Sequence, residues 1–134
     1  MLQFTKEVDY GLQLVITLAK LDNKELLSLR NFSKDSEISF LFLQRIAKKL
    51  KDAGIIEATK GAQGGYLLKK NPLKISLKEI IEAIEGDYAI INCLRKKCGC
   101  KHEKTCESKK VFTKINDYLV GYLKKAKLAD FITP

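Results

Sequence analysis

The sequence predicts a mainly α-helical chain carrying one small β-hairpin, with a long helix near its C-terminus. Three observations say so. Apolar residues recur at helical spacing in successive stretches, most of them opened by a capping Ser or Thr. Two short β-prone runs flank the glycine-rich segment Lys60-Gly-Ala-Gln-Gly-Gly65. A last stripe, from Val111 to Ala126, keeps a 3.6-residue period within an element of about 20 residues that begins after Cys106, roughly 30 Å of helix. At 134 residues this is one domain, or one domain with an appendage that needs a partner.

The first helix opens at Thr5 and carries Val8, Leu12, Val15 and Ala19 at i, i+4, i+7 and i+11. Leu14, Leu18 and Leu21 widen the stripe, so the helix is expected to be mostly buried and to end at Asp22-Asn23. A short second helix is capped by Ser28 with Leu29 and Phe32 inward, and Lys34 to Glu37 reads as a turn. The next helix has Ser39 at its N-cap, with Ile38 placed to staple onto Leu43. Leu43, Ile46, Ala47 and Leu50 make its apolar face, and Gly54 stands where a helix-terminating glycine belongs. Its other face presents Phe40, Gln44, Lys48 and Lys51, with Arg45 and Lys49 on the flank.

Two helices joined by a tight turn, the second with amide and basic groups outward, have helix-turn-helix geometry. A solvated amphipathic helix is the plainer reading of that segment alone. The residues after Gly54 favour the helix-turn-helix. Ile55 to Thr59 reads as a strand, Tyr66 to Leu68 as its partner, and the intervening glycines suit the positive φ of a hairpin loop. A hairpin directly after such a helix is a wing, whose Lys60 and Gln63 can reach phosphates or the minor groove. A phosphate-cradling nucleotide loop is disfavoured, because Gly64-Gly65 enters a strand and not a helix. Ser76-Leu-Lys-Glu79 forms a capping box opening a helix with Leu77, Ile80, Ile81 and Ile84 apolar, stopped at Gly86. The organisation is therefore 1–86 as the winged helix-turn-helix unit, 87–106 as a cysteine-rich loop, and 107–134 as a long helix and tail. That helix is longer than a small winged domain covers alone, so its stripe is expected to bury against a second copy across a two-fold axis.

All four cysteines fall within fourteen residues, at Cys93, Cys98, Cys100 and Cys106. Thiolates so closely spaced can surround a soft metal or an iron–sulfur cluster, and Arg95, Lys96, Lys97, Lys101 and Lys104 would offset the negative charge. A disulfide-stapled loop is the alternative. The N-terminus lacks the pattern of a signal peptide and no apolar run approaches the roughly 18 residues of a membrane span. A reducing cytoplasm is the expected setting, and there clustered cysteines favour metal over disulfides. A net charge of +9 points to a polyanionic partner, most simply nucleic acid. An enzyme is poorly matched: there is one histidine, no nucleophile–base pairing and no nucleotide loop.

The chain resembles the winged helix-turn-helix regulators of the IscR and NsrR type, the Rrf-two family. The residues carrying the resemblance are Phe4-Thr5-Lys6, Leu27-Ser28-Leu29-Arg30, Ile38-Ser39 before Leu43, Lys48-Lys49-Leu50, Gly54, Lys60-Gly61, Gly64 to Leu68 and Ile80 to Gly86. The cysteine loop and the long helix fall where the family places its cluster and its dimer helix. The resemblance implies a cytoplasmic, homodimeric repressor of transcription that binds double-stranded DNA under control of an iron–sulfur cluster, 2Fe–2S or 4Fe–4S. It implies no small-molecule substrate and no membrane. On that reading Ser39, Phe40, Gln44 and Arg45 read bases, while Lys48, Lys49 and Lys51 contact phosphates.

The departures bear on the cluster. Cluster-binding members of the family usually space three cysteines by five residues each. Here Cys100 and Cys106 keep five intervening residues, but six residues separate Cys93 from Cys100 and four separate it from Cys98. Cys93 and Cys106 thus rank first as ligands, then Cys100, with Cys98 as its competitor or as a fourth ligand. The histidine that the IscR type adds past its third cysteine is replaced by Lys109, and His102 precedes Cys106. The oxygen ligand that NsrR-like members take from the other subunit's first helix maps onto Asp9, which a simple exposed position would equally explain. The family's frequent wing arginine is Lys60 here, which lacks the planar fork. A zinc site or a thiol–disulfide sensor is the competing reading, although paired Cys-x-x-Cys knuckles are absent.

Overall fold

Helical caps set most of the architecture. In the computed structural model the described residues are 4–21, 25–86 and 107–132. Helix α1 (Lys6–Ala19) starts where Thr5 Oγ1 accepts the Val8 N–H at 3.3 Å, and the same hydroxyl donates to the Glu85 carboxylate. It stops at Ala19, before Asp22-Asn23, which lie outside the described residues. Val8, Leu14, Val15 and Leu18 are buried, while Leu12 and Ala19 are half-buried.

Helix α2 (Leu29–Ser36) is capped by Ser28, whose Oγ accepts from the Asn31 N–H at 3.4 Å. Leu29 and Phe32 point inward as expected. The turn expected at 34–37 is shorter in the structure. Lys34, Asp35 and Ser36 stay helical, Ser36 Oγ donating to the Phe32 carbonyl at 2.6 Å, and the chain reverses only at left-handed Glu37 (φ 61°).

Helix α3 (Phe40–Asp52) buries Leu43, Ile46, Ala47 and Leu50 completely. Each large aliphatic side chain so buried contributes about 1.5–3 kcal/mol, enough together to hold this helix rigidly on the core. It ends in a Schellman motif: the Gly54 N–H donates to Lys51 O at 3.0 Å and the Ile55 N–H to Leu50 O at 3.0 Å. Gly54 takes the positive φ of 77° that this turn requires. Ile55, buried beside the last turn, supplies the apolar contact that accompanies such ends.

Strands β1 (Ile56–Thr59) and β2 (Gly65–Leu68) pair antiparallel, Ile56 with Leu68 through to Thr59 with Gly65. The hairpin thus begins one residue later, and its second strand one residue earlier, than the sequence suggested. In the loop it is Gly61 that takes positive φ (115°); Gly65 is needed for closeness, since a Cβ there would lie 2.7 Å from Leu27 O. That contact is a single antiparallel bridge. Leu27 and Tyr66 exchange N–H···O bonds of 2.9 Å, tying the start of α2 to the wing.

A 3₁₀ turn at Pro72–Lys74 leads to α4 (Leu77–Glu85). Ser76 Oγ accepts from the Glu79 N–H at 3.1 Å, the first half of the expected capping box, while the Glu79 carboxylate sits 3.4 Å from Lys70 Nζ. Ile80, Ile81 and Ile84 join the core between α1 and α3. Helix α5 (Ser108–Lys125) rests on α4 and buries Leu123. The chain then returns to the core: the Leu77 N–H donates to Ala126 O at 3.0 Å, the Leu128 N–H to Ile75 O at 2.8 Å, and Leu128 is fully buried. The residues on either side of 87–106 therefore share one core. No helix among the described residues is long and apolar enough to cross a membrane.

Candidate nucleic-acid interface

Opposite the Leu43–Ile46–Ala47–Leu50 stripe, a helical repeat brings Leu41, Arg45, Lys48 and Asp52 to the surface, with Gln44 and Lys51 beside them. All six are exposed. Ser39 stands at the N-cap position with no side-chain cap hydrogen bond, so its exposed hydroxyl projects at the mouth of the helix. The helix N-terminus adds unsatisfied N–H groups and the positive end of the macrodipole. Such an end accepts anions, and a face of amide, guanidinium and ammonium groups beyond it can address both phosphates and base edges.

Two of the expected site residues are occupied within the chain. Lys49 Nζ lies 2.8 Å from the Glu7 carboxylate and donates to Ile84 O at 3.2 Å. It joins α3 to α1 and to the carbonyl end of α4, apart from Lys48 and Lys51. Both partners are partly exposed, so this ion pair adds little stability; its effect is to direct the ammonium away from the outward face. Phe40 is half-buried, with the Arg30 guanidinium 4.6 Å from its ring centroid. The Arg30 contact with a candidate site residue is one that sequence reasoning missed. Arg30 stands ten positions before Phe40 on a separate helix, and no periodicity connects the two.

The wing presents polar groups of its own. Beyond Ile56 strand β1 is exposed, so the hairpin leaves the core and carries exposed Lys60 and Gln63 at its tip. Asp9 is exposed on α1, where its Oδ1 accepts from Gln13 Nε2 at 3.1 Å. A solvated, hydrogen-bonded carboxylate needs no ligand to explain it. Cys93, Cys98, Cys100 and Cys106, with His102, lie outside the described residues. Among the described residues no group of three or more His, Cys, Asp or Glu is assembled to hold a metal ion.

The long helix carries a second exposed feature. Val111, Ile115, Tyr118 and Tyr122 are all exposed, Tyr118 at 86 %, and the last three, with Lys114 and the half-buried Leu119, line a shallow, almost wholly apolar depression. An apolar strip of that kind on a helix marks an interaction surface.

A helix-turn-helix with an outward basic face and a hairpin wing after it is the architecture of a DNA-binding transcription regulator. The chain belongs to the Rrf2 family, described as iron-dependent transcriptional regulators, whose model matches residues 4–134. It is 28 % identical over 132 residues to the HTH-type transcriptional regulator NsrR of Bacillus licheniformis, covering 98 % of this chain and 92 % of that one. CymR, the global cysteine regulator of B. subtilis, has a similar solved structure: 27 % identity, TM-score 0.82, 98 % of this chain and 97 % of that one covered. The solved IscR of T. potens is also similar, at 26 % identity and TM-score 0.76, with 96 % and 85 % covered. The fold is thus that of the winged-helix Rrf2 regulators, and the chain is a transcriptional regulator and not an enzyme.

Proposed function

We propose that this chain is a cytoplasmic, homodimeric repressor whose binding to double-stranded DNA is controlled by an iron–sulfur cluster held by the Cys93–Cys106 loop. The observation that carries the DNA half is the exposed Arg45–Lys48 face of α3, backed by a buried apolar stripe and followed in the chain by the wing with exposed Lys60 and Gln63. Each α3 would enter a major groove and each wing the neighbouring minor groove, with the dimer axis setting the half-site spacing. Ser39, Gln44 and Arg45 would address base edges, while Lys48, Lys51 and Lys60 would contact phosphates. The exposed stripe on α5 supports a second copy of the chain as its cover, because two such helices hide each other's tyrosines and isoleucine at once.

Four thiols within fourteen residues, in a family described as iron-dependent, support the cluster half. Cys93 and Cys106 would be ligands in any arrangement, with Cys100 next and Cys98 as its competitor or the fourth. When bound, an iron–sulfur cluster supplies a redox-active, oxygen-sensitive centre that soft thiolates stabilise. The lysines of the loop would favour the thiolates and balance the charge. If three cysteines bind, Asp9 from the other subunit completes the set, and its exposed position on α1 leaves the carboxylate accessible to a second chain.

Anaerobic purification with iron and sulfide counts and a visible spectrum tests this. The expected result is a coloured protein with iron and sulfide in near-equal amounts; a colourless, iron-free protein overturns it. Single changes then assign the ligands. Iron lost at Cys98 and kept at Asp9 marks a four-thiolate site, and the reverse marks the cross-subunit carboxylate. The likeness to the cysteine regulator CymR favours a second reading, in which the same DNA-binding dimer acts without a cluster through thiol redox chemistry or zinc. Zinc or a reversible disulfide in the colourless protein would select it.

A further inference from the structure

The three residues Phe40, Leu41 and Phe42 open α3 as one apolar run, yet the fold treats them differently. Phe40 lies under the Arg30 guanidinium, and Phe42 meets Tyr10 edge to face with ring centroids 5.5 Å apart. Leu41 is 70 % exposed. It stands directly opposite the buried stripe, in the first turn of the helix, with Gln44, Arg45 and Lys48 at i+3, i+4 and i+7.

A lone surface leucine ordinarily needs no explanation. This one occupies the centre of the basic face, where residues at the start of a recognition helix meet base edges. Its neighbours on the helix surface are an amide and two cations, and both flanking phenylalanines are half-buried against other side chains, so the exposed face around it is mainly polar. In the major groove one base presents an apolar group, the 5-methyl of thymine. We propose that Leu41 reads sequence directly by packing against a thymine methyl in each half-site, between the bases addressed by Gln44 and Arg45. The proposal rests on α3 being the recognition helix, and adds to it an apolar element of specificity.

The test begins with a duplex selected by the full-length protein from a random pool. Each thymine of that duplex is then replaced singly by deoxyuridine, which removes the methyl and leaves the hydrogen-bonding edge intact. Wild-type protein is expected to lose about fourfold in affinity at one position of each half-site, the contribution of one buried methyl. Leu41→Ala, which retains the fold because the side chain is exposed, should bind the thymine duplex more weakly. It should no longer distinguish thymine from deoxyuridine there, and its salt dependence should be unchanged. Indifference of the wild type to every deoxyuridine overturns the proposal and leaves the recognition helix standing. So does full methyl sensitivity in Leu41→Ala, or a flattened salt slope, which would mean lost phosphate contacts. Failure to select any preferred duplex overturns both this proposal and the groove assignment beneath it.

Discussion

Ile115→Asp should convert the protein to monomers at micromolar concentration and lower its affinity for a two-half-site duplex by a hundredfold or more, on the order expected when two linked binding events become independent. Ile115 is 43 % exposed on α5, between exposed Val111 and Tyr118. A single chain gains nothing from that stripe. In the proposed two-fold contact each Ile115 faces its counterpart region, so one substitution introduces two charges into an apolar seam without partners. The variant's own fold is unaffected, because the side chain takes no part in the intrachain core. Light scattering and a binding titration read both effects. Wild-type protein that is already monomeric at micromolar concentration, or a dimeric variant with undiminished affinity, would falsify the assignment.

Arg45→Ala and Lys48→Ala, one helical turn apart, should fail in different ways. Loss of the guanidinium should cost about 1–3 kcal/mol on the preferred duplex and little on others, so that discrimination collapses while general affinity remains. Gln44→Ala should behave similarly at another base. Loss of the Lys48 ammonium should weaken all duplexes alike and flatten the plot of log affinity against log salt by about one unit per site. Lys49→Ala serves as the contrast: its ammonium is drawn to Glu7 and the Ile84 carbonyl, so the salt slope should scarcely move. Identical binding curves for wild type, Gln44→Ala, Arg45→Ala and Lys48→Ala on every duplex would remove α3 from the groove.

The elements most legible in the sequence were those defined by local chemistry. Thr5, Ser28 and Ser76 announced their helices because a cap uses a hydroxyl and the N–H three residues on, all within one turn of chain. The stripe of α3 and its Gly54 end were equally plain, since both arise from helical periodicity and one backbone angle. The features that sequence reasoning missed depend on contacts between distant segments. The Leu27–Tyr66 bridge is a single residue pair and leaves no alternation to read. Leu128 returns to the core in a short 3₁₀ turn without a repeating pattern. Lys49 looks like its neighbours Lys48 and Lys51 in sequence, and is set apart by a carboxylate 42 positions earlier. Arg30 and Leu41 were missed for the same reason: what sets them apart is the packing of Phe40 under Arg30 and of Phe42 on Tyr10, which leaves Leu41 as the exposed member of the run.

The candidate cluster site divides along a different line. Four cysteines in a lysine-rich loop are a compositional signal, readable without any fold, and they lie outside the described residues. Asp9 entered through family resemblance, and its exposure supports access by a second subunit without requiring it. Spacing alone does not choose between Cys98 and Cys100, because Cys100 leaves six and five intervening residues and Cys98 four and seven, and neither set is the family's five and five.

Control of DNA binding by the cluster is the central claim, and a single comparison addresses it. Anaerobically purified protein and the same sample stripped of iron by a chelator under reducing conditions are titrated against the selected duplex at one fixed salt concentration. The two dissociation constants should differ by at least about tenfold, a coupling near 1.4 kcal/mol, and Cys93→Ala/Cys106→Ala protein should match the stripped sample in both treatments. Equal dissociation constants for the iron-loaded and stripped protein would contradict the account.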